Sequence, residues 1–251
     1  MNIDSSGIVI TGAARGLGLQ MARDLAEAGA RIGLIDLDAE ALEQARAGLP
    51  GQGHAIAAAN VADEAQVEAA FDALESQLGR IDGLVNNAGI TRDGLLIKAR
   101  DGEVSERMSL AQWQQVIDVN LTGVFLCTRE AATRMVKAGN GGVIINVSSI
   151  SRHGNFGQSN YAATKAGVAA MAVTWAKELA RYGIRTASIS PGFTATEMVM
   201  QMPEKAIERI KQQIPLGRLA EPGEMAQTIR FIFENDYISG RDFAIDGGLR
   251  L

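Results

Sequence analysis

The chain has 251 residues, 47% of them apolar and 21% charged, with a net charge of −5. That composition can bury a sizeable core, and an acidic balance without a Lys/Arg run argues against a nucleic-acid-binding protein. Cys127 is the sole cysteine, which excludes a disulfide framework or a cysteine-rich metal site within one chain and fits a reducing compartment.

Residues 1–7 hold neither a basic segment nor a long apolar stretch, so no signal peptide is expected. No window approaches the ~18 uninterrupted apolar residues of a spanning helix. A cytoplasmic protein without a membrane partner follows. Ile8-Val9-Ile10 reads as a short buried strand, followed by glycine-rich turn chemistry and a helix over 17–28 that Gly29 stops. Arg31–Asp36 is a second strand, 39–49 a second helix and 54–59 a third strand. A helix over Glu64–Leu78 carries Val67, Phe71, Leu74 and Leu78 on one face. Leu84-Val85-Asn86 is the fourth strand. Ser109 caps a long helix running to about Lys137, and 143–147 is the fifth strand. A helix over 160–181, a strand over 185–190, a helix over 222–233 and the strand Phe243-Ala244-Ile245 complete the chain. Two stretches break the rhythm. Residues 98–108 are polar around an Asp101-Gly102 turn signal, and 193–215 carry Met198, Met200 and Met202 between prolines. Both are expected to be mobile segments near a substrate, although ordinary core packing would equally explain the methionines.

Strand–helix alternation predicts an α/β fold, one doubly wound parallel sheet of seven strands with helices on both faces, filling 1–251 as a single domain. In Thr11-Gly12-Ala13-Ala14-Arg15-Gly16-Leu17-Gly18, glycines follow the first strand and open the first helix. Glycine is needed where backbone approaches a phosphate closely, and the helix N-terminus offers N–H groups and partial positive charge to a pyrophosphate. Gly12, Arg15, Gly16, Leu17 and Gly18 are therefore candidate dinucleotide contacts. Asp36 ends the second strand, where a carboxylate can accept both adenosine-ribose hydroxyls and repel a 2′-phosphate. NAD is expected over NADP, with Arg15 as the one residue that could favour the phosphate. Asn60-Val61 after the third strand stands near the expected adenine, and Asn86-Asn87-Ala88-Gly89 after the fourth near the ribose.

Tyr161 and Lys165 stand four apart on a predicted helix, hence on one face. A phenol titrates near ~10 in water, and a fixed cation pulls that value down. A shift of ~3 units would need ~4 kcal/mol of differential interaction. The pair reads as an acid/base device.

With the glycine turn, Asn86-Asn87-Ala88-Gly89, Asn120, Ser148/Ser149, Tyr161 with Lys165, and Pro191-Gly192 in order, the chain resembles the short-chain dehydrogenase/reductase family over essentially its whole length. Asn155-Phe156-Gly157-Gln158-Ser159-Asn160-Tyr161 and Asn120-Leu121-Thr122-Gly123-Val124-Phe125 make it most similar to the 3-oxoacyl-[acyl-carrier-protein] reductase group. The resemblance implies bound NAD(P)(H), interconversion of a secondary alcohol and a ketone, and a homotetramer or homodimer. It implies that Tyr161 exchanges a proton with the substrate oxygen and that Lys165 lowers the tyrosine's pKa and holds the nicotinamide ribose. By the same likeness a serine after the fifth strand bonds the substrate oxygen, Asn120 holds a water leading from Lys165 to solvent, and Thr194, after Pro191-Gly192, contacts the nicotinamide amide. Small-molecule or acyl-thioester substrates fit. An acyl carrier protein would meet a basic patch, for which Arg134, Lys137 and Arg181 are candidates beside their bland role as helix-end cations.

Departures from the family pattern leave specific questions. The loop before Tyr161 looks one residue short, so counting back from Tyr161 gives Ser148 as the substrate serine and aligning from the strand gives Ser149. Loops absorb deletions more easily than buried strands, which selects Ser149. Asn60 stands where the family often has aspartate, 98–108 looks inserted, and 233–240 looks trimmed. The alternative function is a nucleotide-sensing protein without turnover, but both Tyr161 and Lys165 are present. A serine hydrolase using His153 lacks the G-x-S-x-G elbow. Two histidines and one cysteine far apart leave no expected metal site. An NAD preference leans toward oxidation as the working direction.

Overall fold

The computed structural model describes residues 1–250 apart from the side chain of Met198. Seven parallel strands form one sheet: β1 (Gly7–Thr11), β2 (Arg31–Asp36), β3 (Ala55–Ala58), β4 (Gly83–Asn86), β7 (Gly142–Val147), β8 (Ile184–Pro191) and β9 (Arg241–Ile245), in the order β3-β2-β1-β4-β7-β8-β9. The chain winds outward from β1 to β3, then crosses back to place β4 on the other side of β1. That reversal opens a crevice at the carboxyl ends of β1 and β4, the usual ligand position in such sheets. Strands buried on both faces need continuous apolar runs, and β1 is buried at every residue.

One face is covered by α1 (Gly16–Glu27), α2 (Ala39–Ala47) and α9 (Pro222–Glu234), which bury Met21, Leu25, Leu42, Ile229 and Phe233 against the sheet. The other carries α3 (Glu64–Leu78) and α5 (Gly123–Ala138), with Val67, Phe71, Leu74, Leu78 and Met135 inside. The Asp63 carboxylate caps α3 by accepting from Gln66 N at 3.0 Å, and Gly79 ends it at φ 78°. α6 (Ser159–Glu178) packs on β7 and β8. Loss of an Asp cap such as that of Asp63 costs ~1 kcal/mol.

Four expectations are corrected. The long helix predicted after Ser109 is α4 (Leu110–Ile117), a π-helical turn Asp118–Thr122, and α5. Such turns are common at functional sites, and this one holds Asn120 fully buried. Residues 98–108 lie in an antiparallel hairpin of β5 (Ile97–Arg100) and β6 (Glu103–Arg107), turned by Asp101 and Gly102 at φ 53° and 85°. Its two faces differ: Ile97, Ala99 and Val104 fall on one, Lys98 and Glu106 on the other in an ion pair of 3.2 Å. The Met-rich stretch folds into α7 (Glu197–Met200) and α8 (Glu204–Gln213), over a small cluster of Ile150, Ile207, Ile214, Leu219 and Leu249. Finally, Arg134 is no docking cation. Its guanidinium is buried and bonded to Asp72 and, at 2.7 Å, to Glu130. A buried guanidinium needs such carboxylates, so Arg134 is spent on joining α3 to α5. Lys137 and Arg181 stay exposed.

The 233–240 segment is organised by Arg185, which donates to the carbonyls of Ile232 (3.1 Å), Phe233 (3.0 Å) and Ile238 (2.8 Å) and so closes the end of α9. Phe233→Ala should lower unfolding free energy by about 3–5 kcal/mol, whereas Val104→Ser on the hairpin should change it by less than ~0.5 kcal/mol. Urea unfolding of both variants checks this contrast between core and appendage.

Candidate active site

Backbone geometry at the end of β1 makes the first half of the site. Gly12 sits at φ 64°, and a methyl group on Gly18 would lie 2.1 Å from the Gly12 carbonyl oxygen, so only glycine fits where the turn closes on the helix. The Asn87 amide donates to Thr11 O (3.1 Å) and Gly12 O (3.0 Å), while the Thr11 hydroxyl accepts from Asn87 N and Ala88 N. These bonds bind the end of β4 to the turn. Unlike α2 and α3, helix α1 has neither a side-chain cap nor an acidic residue in its first turn. Its free N–H groups thus fit a pyrophosphate. Gly16, Arg15 and Leu17 line the open side of the turn, with Arg15 exposed.

Asp36 lies at the carboxyl end of β2. Its oxygens accept from Ala14 N (3.1 Å) and Leu37 N (2.8 Å), which fixes the carboxylate beside the glycine turn. The Asn60 side chain accepts from Ala62 N at 3.0 Å, a local bond, while Val61 is buried and lines a narrow crevice with Thr11, Ala88 and Val119. At the far side Pro191 ends β8, Gly192 N donates to Ile245 O at 2.9 Å, and Thr194 is buried.

The second half of the site gathers around α6. Tyr161 and Lys165 lie on one side of the helix, Nζ 5.5 Å from the phenol ring centre. Lys165 is 4% exposed and Nζ donates to Val147 O at 2.7 Å. The Ser148 hydroxyl donates back to Lys165 O at 2.7 Å. Ser149, next along, accepts from Ser151 N at 3.1 Å and interacts with the Tyr161 phenol. A methyl group on Gly89 would fall 3.4 Å from Asn120 Oδ1 and 3.6 Å from Lys165 Nζ, so the three residues meet. The Asn120 amide accepts from Ile90 N (2.8 Å) and donates to Ile90 O (2.9 Å). Of the sequence-predicted residues, one edge of the sheet brings together all but Asn60, whose side chain turns to local bonds.

One electrostatic expectation is corrected. The Tyr161 pKa is raised: burial is the largest cause, a bond from Ser149 lowers it, and the Asp93 charge raises it again. Burial also lowers Lys165 to about 8. The ammonium faces Val147 O, not the phenol oxygen, and desolvation disfavours both charged forms.

Sequence reasoning missed the braces of the cleft wall. Asn160, fully buried, donates to Arg92 O at 3.0 Å and accepts from Tyr161 N at 2.8 Å. Gln158 donates to Asp93 at 3.0 Å, and Gly94 N to Gly157 O at 2.8 Å. Gln158 and Asn160 stood in the stretch that carries the closer likeness but without a bracing role, and their partners at 92–94 left no sequence signal. Among the described residues no group of three or more His, Cys, Asp or Glu could hold a metal, and no helix is long and apolar enough to cross a membrane.

A family model described as "Enoyl-(Acyl carrier protein) reductase" matches residues 12–250. The chain is 43% identical to the 3-oxoacyl-[acyl-carrier-protein] reductase FabG of Thermotoga maritima, covering 99% of each protein. It is 42% identical to the 3-oxoacyl-[acyl-carrier-protein] reductase of Synechocystis sp., over 96% of this chain and 95% of that one. It is 37% identical to the (3R)-3-hydroxyacyl-CoA dehydrogenase of Mus musculus, over 99% of this chain and 98% of that one.

The pKa directions fix a pH effect. Folded Lys165 binds fewer protons than the unfolded chain from pH 8 to 10.5, so its contribution to stability rises with pH there. The Tyr161 shift has the opposite sign and lowers stability above pH 10. The stability difference between wild type and Lys165→Met should therefore grow in favour of wild type by up to about 3 kcal/mol from pH 8 to 10.5. Urea midpoints measured across that range test it, and a pH-independent difference would contradict the assigned desolvation.

Proposed function

The chain belongs to the short-chain dehydrogenase/reductase family, NAD(P)-dependent oxidoreductases acting on CH–OH groups, and we propose that it interconverts 3-oxoacyl and 3-hydroxyacyl thioesters. The gathering of Tyr161, Lys165 and Ser149 at the end of β7 supports this reading: Lys165 Nζ lies 5.5 Å from the phenol ring centre and 2.7 Å from Val147 O, and Ser149 follows two residues on. A phenol and a nearby hydroxyl suit one carbonyl or hydroxyl oxygen, and the names of the full-length relatives supply the thioester class.

A nicotinamide dinucleotide held by the glycine turn, Asp36, Val61, Ala88, Gly89, Lys165 and the 191–194 segment would supply or accept the hydride. The chain's own residues manage one proton. Tyr161, kept protonated by burial, donates from Oη to the carbonyl oxygen in reduction and recovers the proton from the hydroxyl in oxidation. Ser149 donates to the same oxygen and keeps it within reach. Ser148 is unsuited to that task, since its hydroxyl is engaged with Lys165 O. Lys165 supplies a fixed donor for ribose hydroxyls. The Asn120 side chain anchors Ile90, so the water assigned to it by likeness falls to the opened backbone of the π turn.

NAD is the proposed nucleotide. In support, the Asp36 carboxylate is held beside the glycine turn by two backbone N–H groups, where it could meet ribose hydroxyls, and the next residue is the exposed Leu37 rather than a cation. A homotetramer or homodimer is proposed because α5 and α6 leave Phe125, Val136 and Val173 exposed, apolar area that a second copy would cover. Sedimentation velocity reads this directly.

Tyr161→Phe should lower kcat with acetoacetyl-CoA by about 10²–10⁴-fold while leaving reduced-nicotinamide fluorescence titrations unchanged. Undiminished turnover would remove the phenol from the chemistry. Asp36→Ala should raise the ratio of kcat/KM for NADPH over NADH at least tenfold, read from the same absorbance assay. A wild-type enzyme that already prefers NADPH by a wide margin would overturn the NAD assignment.

A further inference from the structure

Four polar residues beside the site have no part in the proton chemistry: Arg152, Asp242, Ser188 and Ser190. Ser149 opens a 3-10 turn, Ile150–His153, directly after β7. Arg152 on that turn sends its guanidinium to β9, where Nη2 lies 2.9 Å from Asp242 Oδ2. The other Asp242 oxygen accepts from the hydroxyls of Ser188 (2.6 Å) and Ser190 (2.9 Å) on β8. Both serines are fully buried, and the Arg152 and Asp242 side chains are only 18% and 16% exposed.

Placement explains why such polar groups stand there. β8 ends at Pro191 and leads into Gly192, so Ser190 immediately precedes the segment proposed to meet the nicotinamide. Asp242 pairs in register with Ser188. One carboxylate thus ties the serine's turn to the last residues of β8 and to the start of β9. The backbone bonds of the turn itself are internal, from Arg152 N to Ser149 O (3.1 Å) and Gly154 N to Ser151 O (2.9 Å). Ser148 N, just before Ser149, is held to Ile189 O on β8 at 2.7 Å, and Arg152 adds the side-chain tie that holds the turn beyond Ser149 to Asp242. Half-buried carboxylates also need a partner, so the pair is costly to break from either side.

We propose that Arg152 and Asp242 form a positioning pair that fixes Ser149 against the substrate oxygen. This rests on the reading that Ser149 contacts that oxygen. Catalytic groups must be held to within about 0.5 Å by supporting bonds, and a displacement near 1 Å can cost ~10²-fold in rate. Arg152 makes a single contact, an ion pair rather than a hydrogen bond: its Nη1 and the Asp242 Oδ2 that it faces are both buried without a hydrogen-bond partner. A lysine can reproduce a single contact, unlike a two-pronged one.

The test compares wild type with Arg152→Ala, Arg152→Lys, Ser149→Ala and Arg152→Ala/Ser149→Ala, using acetoacetyl-CoA and NADH. Arg152→Ala should lower kcat at least tenfold with the NADH dissociation constant unchanged, and Arg152→Lys should recover most of that loss. In the Ser149→Ala background the same change should cost less than twofold, since the group it positions is gone. Amide exchange of the peptide over 148–158, without cofactor or substrate, should speed up in Arg152→Ala alone. If Arg152→Ala does not fold, Ser190→Ala serves, with a smaller loss that likewise vanishes without Ser149. Full kcat in Arg152→Ala, or an equal loss in both backgrounds, overturns the positioning role. Full kcat in Ser149→Ala instead overturns the serine assignment, and the two failures are distinguished by that single variant.

Discussion

An ammonium group buried with one carbonyl for a partner is the constraint around which the carboxyl edge of this sheet is built. Lys165 has no carboxylate within ion-pair distance among the described residues, and its Nζ is held by Val147 O alone. Isolating a cation from water costs several kcal/mol even after relaxation, and one backbone dipole returns only part. The remainder shows as the pKa lowered to about 8. Such a cost is not retained for stability, since a buried methionine would fill the space without it. It fits the proposed role of Lys165 as a donor to a bound ligand. The surrounding contacts serve that end: Ser148 locks the helix backbone at Lys165 to the end of β7, and Asn120 fastens Ile90 so that Gly89 borders Nζ.

The same desolvation governs the phenol. A cation lowers a neighbour's pKa only when it faces the charge that forms, and the Lys165 ammonium lies beside the ring, 5.5 Å from its centre. Ser149 is the group that lowers the Tyr161 pKa, against burial and the Asp93 charge. In the proposed reaction the tyrosine is therefore an acid whose proton goes to an acceptor brought to it, and after burial it is Ser149, not Lys165, that influences its titration. This shifts weight from the helix pair, which spacing alone reveals, to the turn after β7, which spacing leaves ambiguous between Ser148 and Ser149.

What was legible in the sequence follows from where each constraint is local. The seven strands, the glycine turn and the terminal position of Asp36 rest on short-range patterns: apolar runs, turn chemistry and an uncapped helix start. Asp101-Gly102 was visible as a turn, but its flanking strands were not, because a hairpin with one exposed apolar face of Ile97, Ala99 and Val104 carries little periodic signal over so few residues. The π turn at Asn120 was hidden for a different reason. It depends on Ile90 offering both its N–H and its C=O to the Asn120 amide, a contact thirty residues away in the chain. Arg134 read as a surface cation because its acidic partners Asp72 and Glu75 lie on another helix.

These limits also explain why the reaction class is readable while the acyl group is not. The proposed cofactor contacts would be made by backbone at the ends of β1, β4 and β8, and backbone needs leave marks in sequence as Gly and Pro. Substrate contacts would come from the rim, where Leu96, Phe156 and Met200 are 67%, 86% and 57% exposed. No backbone requirement dictates those side chains, so any apolar residue would serve and none is diagnostic. The rim is nonetheless coupled to the chemistry. The foot of the hairpin bonds through Gly94 N to Gly157 O, four residues before Tyr161, and Gln158 reaches Asp93, the same carboxylate that raises the phenol. The hairpin over 97–107 is thus joined by hydrogen bonds to the residues just before Tyr161, and under the proposed chemistry changes at the rim would reach the proton donor through them.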